Sequence, residues 1–215
     1  MASRKSGPPV TTVFLVRHGQ TSTTGSVLPG RAPGLHLSDT GRAQAERAAA
    51  RLTELERVDA VYASPLERAK ETAAPIGAAR GLKVAVHKGL VECDFGEWTG
   101  RQLKELMKLP EWRDVQHHPS GFRFPGGESF SEMQFRMMAT LDDMAVRHPG
   151  GVVVAVSHAD PIKALAAHAL GTHLDHFQRI VVSTCSITAI AVGAGRPIVL
   201  CVNSTGGSLR ELRPS

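Results

Sequence analysis

Residues 13–21 read Val-Phe-Leu-Val-Arg-His-Gly-Gln-Thr, and this stretch decides how the rest of the chain is interpreted. Four apolar residues between a Gly-Pro-Pro run and a polar, Gly-containing loop predict a short strand that is buried on both faces. In an open α/β sheet, ligands bind beyond the carboxyl ends of the strands, so Arg17 and His18 stand where a site is expected. Gly19 allows close approach of the backbone. Taken alone, the Arg-His pair fits a purely structural strand end equally well.

The segments that follow alternate between helical and extended patterns. Apolar spacing predicts helices over 39–55, from the Ser64-Pro65 pair onward, over 129–147 and from the Asp160-Pro161 pair to 170, each with a capping residue at its start. Apolar runs and alternation predict strands over 58–63, 83–87, 152–156, 187–192 and 198–202. The chain order strand, helix, strand, helix predicts parallel strands joined by right-handed crossovers.

Composition narrows the class of protein. The 215 residues suit one α/β domain, 42% of them are hydrophobic, and no apolar run approaches the roughly 18 residues of a membrane helix. The first nine residues lack the apolar core of a secretory signal. The net charge of +5 suggests nucleic-acid binding, but the basic residues alternate with acids and aromatic residues are few, which favours a solvated surface. Three cysteines without a CxxC pair predict reduced thiols in a cytoplasmic protein, and no zinc or disulfide framework.

Two arginines outside the first strand are candidate functional residues. Arg31 lies within an irregular loop over 22–37, where it either shapes a substrate entrance or is simply exposed. Arg68 lies in the first turn of the second predicted helix, where a cation opposes the helix dipole unless an anion is present.

A second apolar strand, 152–156, ends at Ser157-His158 and repeats the pattern of the first strand.

These residues resemble those of the histidine phosphatase superfamily, also called the phosphoglycerate mutase-like family. The resemblance is carried by four ordered segments that span roughly 12 to 205: Arg17-His18-Gly19-Gln20-Thr21, Ser64-Pro65-Leu66-Glu67-Arg68-Ala69, Leu90-Val91-Glu92 with Phe95-Gly96-Glu97-Trp98-Thr99-Gly100, and Gly127-Glu128-Ser129 followed by Val156-Ser157-His158. The resemblance implies a three-layer α/β/α sandwich with a mostly parallel central sheet and a small helical cap insertion. Residues 11–205 are then the catalytic domain, with the cap at about 101–127, a disordered lead-in at 1–10 and a flexible tail at 206–215.

The resemblance also implies a role for each matching residue. His18 is the nucleophile that forms a phosphohistidine, while Arg17, Arg68 and His158 bind the transferring phosphoryl oxygens. Glu92 is the proton donor to the leaving oxygen, and Asp94 is the competing candidate. No cofactor or metal is implied. A metal site drawn from His18, Glu92, Asp94 and His158 is disfavoured by the two neighbouring arginines.

The phosphate contacts are less completely specified. Gln20, Thr21, Arg31 and Ala159 complete the predicted substrate-binding set together with Thr24. Ala159 stands where the family usually has glycine, so the exact path of its loop is open. Thr24 stands where many members have an asparagine that helps to bind phosphate, and the hydroxyls of Thr24, Ser22 and Thr23 are alternative replacements for it.

The function implied is a metal-independent phosphomonoesterase of the phosphatase branch that acts on a small phosphorylated metabolite, with no nucleic acid or membrane as partner. The alternatives are a phosphomutase of the same fold and a non-catalytic protein that binds a phosphorylated ligand. The cap includes Trp112, Phe122, Arg123 and Phe124, which either contact substrate or form a small satellite core. The oligomeric state and the physiological substrate are not predicted.

Overall fold

The computed structural model describes residues 9–207 and residue 209. Within these residues, six strands form one sheet: β1 (Thr11–Arg17), β2 (Ala60–Ala63), β3 (Val84–Val86), β4 (Val152–Ser157), β5 (Ile187–Val192) and β6 (Ile198–Ser204). The α-helices of the same residues are α1 (Asp39–Leu52), α2 (Glu67–Arg80), α3 (Leu103–Leu106), α4 (Trp112–His117), α5 (Phe130–Arg147) and α6 (Ala159–Ala169). Short 3-10 helices lie at Lys88–Leu90, Gly96–Trp98, Pro119–Gly121 and Leu174–Arg179.

The strand order is β3-β2-β4-β1-β5-β6, and it explains why two distant segments of sequence meet. Strands β1 to β4 run parallel, while β5 pairs antiparallel with β1 and β6 antiparallel with β5. In the β1–β4 pair, Arg17 lies opposite Ser157. The residues that follow these two, His18 and His158, therefore emerge side by side at the carboxyl edge of the sheet. The predicted mostly parallel sheet is confirmed.

Helices cover both faces of the sheet, which confirms the predicted three-layer sandwich. Phe14 and Val16 of β1 belong to one buried cluster with residues of α1 and α2. Val13 and Leu15 point the other way and pack with residues of α5 and α6. Because successive side chains of a strand point to opposite faces, a strand covered on both faces must be apolar at every position. The four apolar residues of β1 are each at most 1% exposed.

Two of the predicted helix starts are confirmed and two are wrong. Ser38 accepts a hydrogen bond from Gly41 N (3.1 Å) at the start of α1, and Ser129 forms a reciprocal capping box with Glu132 at the start of α5. Helix α2, however, begins at Glu67, after Leu66, and α6 begins at Ala159, after His158. Ser64 and Asp160 therefore do not cap these helices. Ser64 contacts His158 instead, and Asp160 is the second residue of α6, where its side chain pairs with Lys163.

The segment between β3 and α5 packs with α5, α6 and the 3-10 helix Leu174–Arg179 in a separate buried cluster. It contains two short helices, α3 and α4, which are separated by a turn that includes Pro110. Trp112 and Phe122 pack on a buried cluster that includes Phe124, while Arg123 pairs with Glu132 at the surface. The three aromatic residues thus make the satellite-core contacts that were one of the two sequence-based interpretations, whereas Arg123 lies outside that core.

The ends of the chain and the thiols complete the description. The predicted lead-in lies outside the described residues except for residues 9 and 10, and most of the predicted tail does too. The prediction of a flexible tail is wrong for Leu209. This residue is 1% exposed, and its backbone N–H donates to Glu54 Oε2 (3.1 Å). Cys93, Cys185 and Cys201 are unpaired, as predicted. None of the helices in the described part of the chain has the length and apolarity needed to span a bilayer.

Candidate active site

The carboxyl edge of the sheet gathers the residues that the sequence singled out. His18 follows β1, His158 follows β4, Arg68 lies in the first turn of α2 after β2, and Glu92 lies in the loop after β3. All four are at most 8% exposed. The imidazole centroids of His18 and His158 are 5.1 Å apart. Residues that are far apart in sequence therefore share one buried polar cluster.

His18 is held as a neutral imidazole with one nitrogen directed at the arginines. Its Nδ1 lies 2.7 Å from the carbonyl oxygen of Gly19, which can only accept, so Nδ1 carries the ring proton. Nε2 accepts from Arg68 Nε at 3.3 Å. Burial, followed by the charge of Arg68, lowers the pKa of His18 to about 3. The Nε2 lone pair is therefore unprotonated at neutral pH and available for nucleophilic attack.

His158 is oriented by a serine that the sequence analysis assigned to another role. Ser64 Oγ lies 2.7 Å from His158 Nε2 and accepts weakly from Leu66 N (3.4 Å), which leaves its hydroxyl hydrogen for the imidazole. We therefore assign the ring proton of His158 to Nδ1. This nitrogen is buried and has no partner among the described residues. Burial lowers the pKa of His158 well below its usual value, so the ring is a neutral donor.

Two guanidinium groups complete the positive side of the cluster. Arg17 NH1 donates to Val182 O (2.7 Å), and Arg68 NH2 donates to Gly30 O (2.8 Å). Arg17 Nε and Arg68 NH1 are buried and, within the described chain, have no hydrogen-bond partner. Burial lowers the pKa of both arginines, although arginine stays protonated in proteins. With His158 Nδ1, three buried donors therefore lack acceptors, which is costly unless an anion binds there.

Glu92 supplies a carboxyl group that can be protonated near neutrality. Its Oε1 accepts from Cys93 N (2.9 Å), and its Oε2 lies 3.9 Å from His158 Nδ1. Burial, and then the charge of Asp160, raise the pKa of Glu92 to about 7, while Arg68, the Cys93 N–H and Arg17 act in the opposite direction. A carboxylic acid with this pKa can donate a proton at neutral pH and accept one in a later step.

Asp94, the competing candidate for the acid, faces the outside of the same loop. Its side chain is 41% exposed. Oδ1 accepts from Gly96 N (3.1 Å) and Oδ2 lies 3.4 Å from Arg31 NH1. The buried position beside His158 belongs to Glu92 instead.

The remaining predicted substrate contacts lie around the loop that follows β1. Thr24 Oγ1 accepts from Thr21 N (2.9 Å) and lies 3.0 Å from Thr21 Oγ1, so the two threonines are hydrogen-bonded to each other. The backbone N–H of Gln20 donates to Gln44 Oε1 (2.9 Å), and Ala159 is the first residue of α6. Arg31 contacts the loop that carries Glu92. Substrate binding by these residues stays a prediction.

The nucleophile loop and the first turn of α1 are in direct backbone contact. A Cβ on Gly19 would lie 2.5 Å from Gly41 O, and a Cβ on Gly41 would overlap Gln20 O. Gly19 N also donates to Thr72 Oγ1 of α2 (3.0 Å). The close approach that Gly19 was predicted to allow is therefore confirmed, and its partner is a second glycine.

Sequence reasoning missed several residues near the site. Ser64 and Asp160 were assigned to helix caps, and the tertiary contacts of Glu128 and Arg136 were not predicted. For Ser64 a signal was present, because it follows β2 at the same sheet edge as His18 and His158. Among residues 9–207 and 209, no group of three or more His, Cys, Asp or Glu side chains is arranged to hold a metal ion.

The fold and this cluster define the class of protein. An α/β sandwich that presents a neutral imidazole, two guanidinium groups, unpaired buried donors and a carboxyl with a pKa of about 7 at the edge of its sheet has the parts of a phosphoryl-transfer enzyme.

Comparison with known proteins gives the family. Residues 13–205 match the histidine phosphatase superfamily (branch 1), and the chain belongs to it. Phosphoserine phosphatase 1 of Hydrogenobacter thermophilus is 33% identical over 198 residues, which cover 90% of this chain and 92% of that protein. Membership and the phosphatase names of such relatives support a phosphatase enzyme.

Two solved structures show the same fold. A mycobacterial glucosyl-3-phosphoglycerate phosphatase superposes with a TM-score of 0.81 at 26% identity, covering 91% of this chain and 99% of that chain. A phosphoserine phosphatase variant from Entamoeba histolytica, solved with phosphoserine, gives a TM-score of 0.82 at 26% identity, covering 91% of this chain and 98% of that chain. The phosphoglycerate mutase-like fold predicted from the sequence is thereby confirmed.

Proposed function

We propose that this chain is a metal-independent phosphomonoesterase that hydrolyses a small phosphorylated metabolite through a phosphohistidine on His18. The observation that carries the proposal is the set of three buried donors without acceptors, Arg17 Nε, Arg68 NH1 and His158 Nδ1. A phosphoryl group carries its negative charge on several oxygens, and donors fixed in advance around it stabilise the transition state. His18 Nε2 contacts Arg68 and lies within the same cluster.

The reaction divides into two displacements. In the first, His18 Nε2 forms a bond to phosphorus, the bond from phosphorus to the ester oxygen breaks, and Glu92 gives its proton to that oxygen. In the second, the Glu92 carboxylate takes a proton from water, the water oxygen bonds to phosphorus, and the bond from phosphorus to nitrogen breaks. Inorganic phosphate then leaves, and both side chains are back in their starting states.

The names of the relatives support the proposed substrate class. Phosphoserine, glucosyl-3-phosphoglycerate and similar compounds are small metabolites with a phosphate ester. The cap at 101–127 is proposed to select among such compounds, since function resides in the site and its surroundings, not in the fold. A cytoplasmic location also stays a proposal, supported by the three unpaired cysteines.

A phosphate-release assay across sugar phosphates, phosphoserine, nucleotides and cofactor precursors tests this function. We expect release of inorganic phosphate that is unchanged by a chelator. Loss of activity on chelation would contradict metal independence. Transfer of the phosphoryl group to a second substrate molecule, with no phosphate released, would identify a phosphomutase, and no turnover with retained phosphate binding would identify a ligand-binding protein.

Replacement of Glu92 by glutamine is expected to slow hydrolysis of an alkyl phosphate by about 10²–10³-fold, because the leaving alkoxide then receives no proton. Hydrolysis of p-nitrophenyl phosphate, whose leaving group needs no proton, is expected to change far less. The matched variant Asp94→Asn, in the same loop, is expected to keep most activity on both substrates. Steady-state kcat values on the two substrates measure the effect, and the reverse pattern for the two variants would assign the acid to Asp94.

The pH dependence of the alkyl-phosphate reaction is expected to follow the protonation of Glu92. Because the acid form is required, kcat/KM should fall as pH rises through about 7, the pKa that burial and Asp160 give this carboxyl. The variant Asp160→Asn removes the negative charge that, after burial, contributes most to raising the pKa of Glu92. The pKa of Glu92 should therefore be lower in this variant, so the fall in kcat/KM should begin at lower pH.

The control for this shift is p-nitrophenyl phosphate, for which the same pH range should give little change in either protein. The pKa of His18, near 3, keeps the nucleophile neutral throughout. An unmoved or upward-shifted profile for Asp160→Asn would show that Asp160 does not act on Glu92.

A further inference from the structure

The loop that carries Glu92 is held by side chains at its main-chain carbonyls. Apart from the single 3-10 turn Lys88–Leu90, residues 88–94 have no regular structure. Arg136 of α5 donates through NH1 to Gly89 O (2.7 Å) and to Val91 O (2.8 Å). Arg31 donates through Nε to Glu92 O (2.8 Å) from the opposite end. Two arginines from distant segments therefore fix the backbone on both sides of the Glu92 side chain.

One carboxylate joins these two arginines. Glu128 Oε1 accepts from Arg31 NH2 (2.9 Å), from Arg136 NH2 (2.6 Å) and from Asp94 N (3.1 Å). The backbone N–H of Glu128 also donates to Asp94 O (3.0 Å). Without the Glu128 carboxylate, the positive guanidinium groups of Arg31 and Arg136 would lose the negative charge that lies between them.

The three side chains are shielded enough for these contacts to matter. Glu128 is 16% exposed, Arg136 22% and Arg31 33%. Exposed ion pairs contribute little because water and salt screen them, whereas charge-assisted hydrogen bonds in a shielded network are shorter and stronger. We call Arg31, Glu128 and Arg136 the acid-loop clamp.

We propose that Glu128 is a positioning residue for the reaction, holding Arg31 and Arg136 so that the backbone around Glu92 places its carboxyl beside the leaving oxygen. The inference rests on the proposed function of Glu92. It also gives Arg31 a role through the loop that is separate from its predicted contact with substrate.

The clamp acts on one partial step of the reaction. His18 is fixed by β1 and by the Gly19 carbonyl, neither of which the clamp touches. A displaced Glu92 therefore impairs protonation of the leaving group while attack by His18 remains possible. A shift of about 1 Å in a positioned group can cost about 10²-fold in rate.

The test compares two substrates in the full-length variant Glu128→Gln. We expect kcat for the alkyl phosphate that the wild-type protein hydrolyses fastest to fall about 10²-fold, and kcat for p-nitrophenyl phosphate to stay within about threefold. The matched control is Glu132→Gln, four residues further along, which removes an exposed ion pair with Arg123 outside the clamp. This control should affect both substrates equally and little.

A second variant guards against misfolding of the first. Arg136→Lys keeps the charge but loses the planar guanidinium that contacts two carbonyls and Glu128 together. We therefore expect kcat for the alkyl phosphate to fall again more than kcat for p-nitrophenyl phosphate, but by a smaller factor than in Glu128→Gln. Equal losses on both substrates in the two clamp variants, in parallel with a lower Tm, would overturn the positioning role.

The outcomes separate this inference from the proposed function. If wild-type protein releases no phosphate from either substrate, the proposed function fails. If Glu92→Gln shows the substrate-dependent loss and Glu128→Gln does not, only the positioning role fails.

Discussion

Replacement of His18 by alanine is expected to abolish phosphate release, with kcat falling on the order of 10⁴ to 10⁶-fold, as for other enzymes that lose their nucleophile. No neighbouring side chain can substitute. His158 directs Nδ1 at the cluster, but Ser64 fixes that ring in the tautomer that donates. Glu92 has a pKa of about 7 and is the proton donor in the proposed mechanism, not the nucleophile. The alanine variant therefore keeps the donors and loses the imidazole nitrogen that faces Arg68.

Rapid-quench labelling measures this directly. With a ³²P-labelled substrate, wild-type protein should carry an acid-labile, base-stable label on His18, and His18→Ala should carry none. The control His168→Ala removes an exposed histidine of α6 and should label normally. Phosphate release by His18→Ala at a rate near wild type would reject the covalent mechanism, whatever the fold.

Replacement of Arg68 by methionine is expected to lower kcat/KM by about 10³-fold, because one guanidinium in contact with the transferring group is lost. Replacing a fully buried side chain usually lowers the stability of a protein, but we do not expect this for Arg68, although it is 0% exposed. Among the described residues, Arg68 has no hydrogen bond to a carboxylate: its partners are His18 and Gly30 O, and its NH1 has none. A buried charge that is not paired in this way keeps much of its desolvation cost, so its replacement by an apolar side chain should be neutral or stabilising.

Thermal unfolding with and without phosphate separates the two effects. In phosphate-free buffer, the Tm of Arg68→Met should equal or exceed that of wild type. Added phosphate should raise the wild-type Tm by mass action and leave the variant nearly unchanged. Arg113→Met, which removes an exposed arginine of α4, should respond to phosphate as wild type does. A fall of several degrees in free Arg68→Met would show that the guanidinium stabilises the fold on its own.

Much of the fold could be predicted from the sequence because strands and helix starts depend on residues that are close together in the chain. An apolar run in β1 indicated burial on both faces, and the Ser129–Glu132 capping box depends on residues three apart. Strand-end placement then predicted that His18, Arg68, Glu92 and His158 would share an edge, since parallel strands end together. The order of the strands in the sheet, which places β1 beside β4, could not be predicted in this way.

The wrong predictions share a physical cause. Ser64 and Asp160 each precede a proline, so a cap was the natural interpretation. Ser64 instead contacts His158, a tertiary partner, whereas Asp160 lies inside the first turn of α6 and pairs with Lys163. The acid-loop clamp joins positions 31, 92, 128 and 136, and no periodicity relates such distant positions. Leu209 was assigned to a tail because the two leucines among the polar residues of 206–215 form no pattern that predicts burial.

The contact between Gly19 and Gly41 has a consequence for how this protein can evolve. The two main chains meet where any side chain would overlap a carbonyl, so each position restricts the other. A substitution at one site cannot be rescued by a smaller residue at its partner, because glycine is already the smallest. Positions 19 and 41 therefore cannot accept a side chain one at a time, unless the two backbone segments move apart.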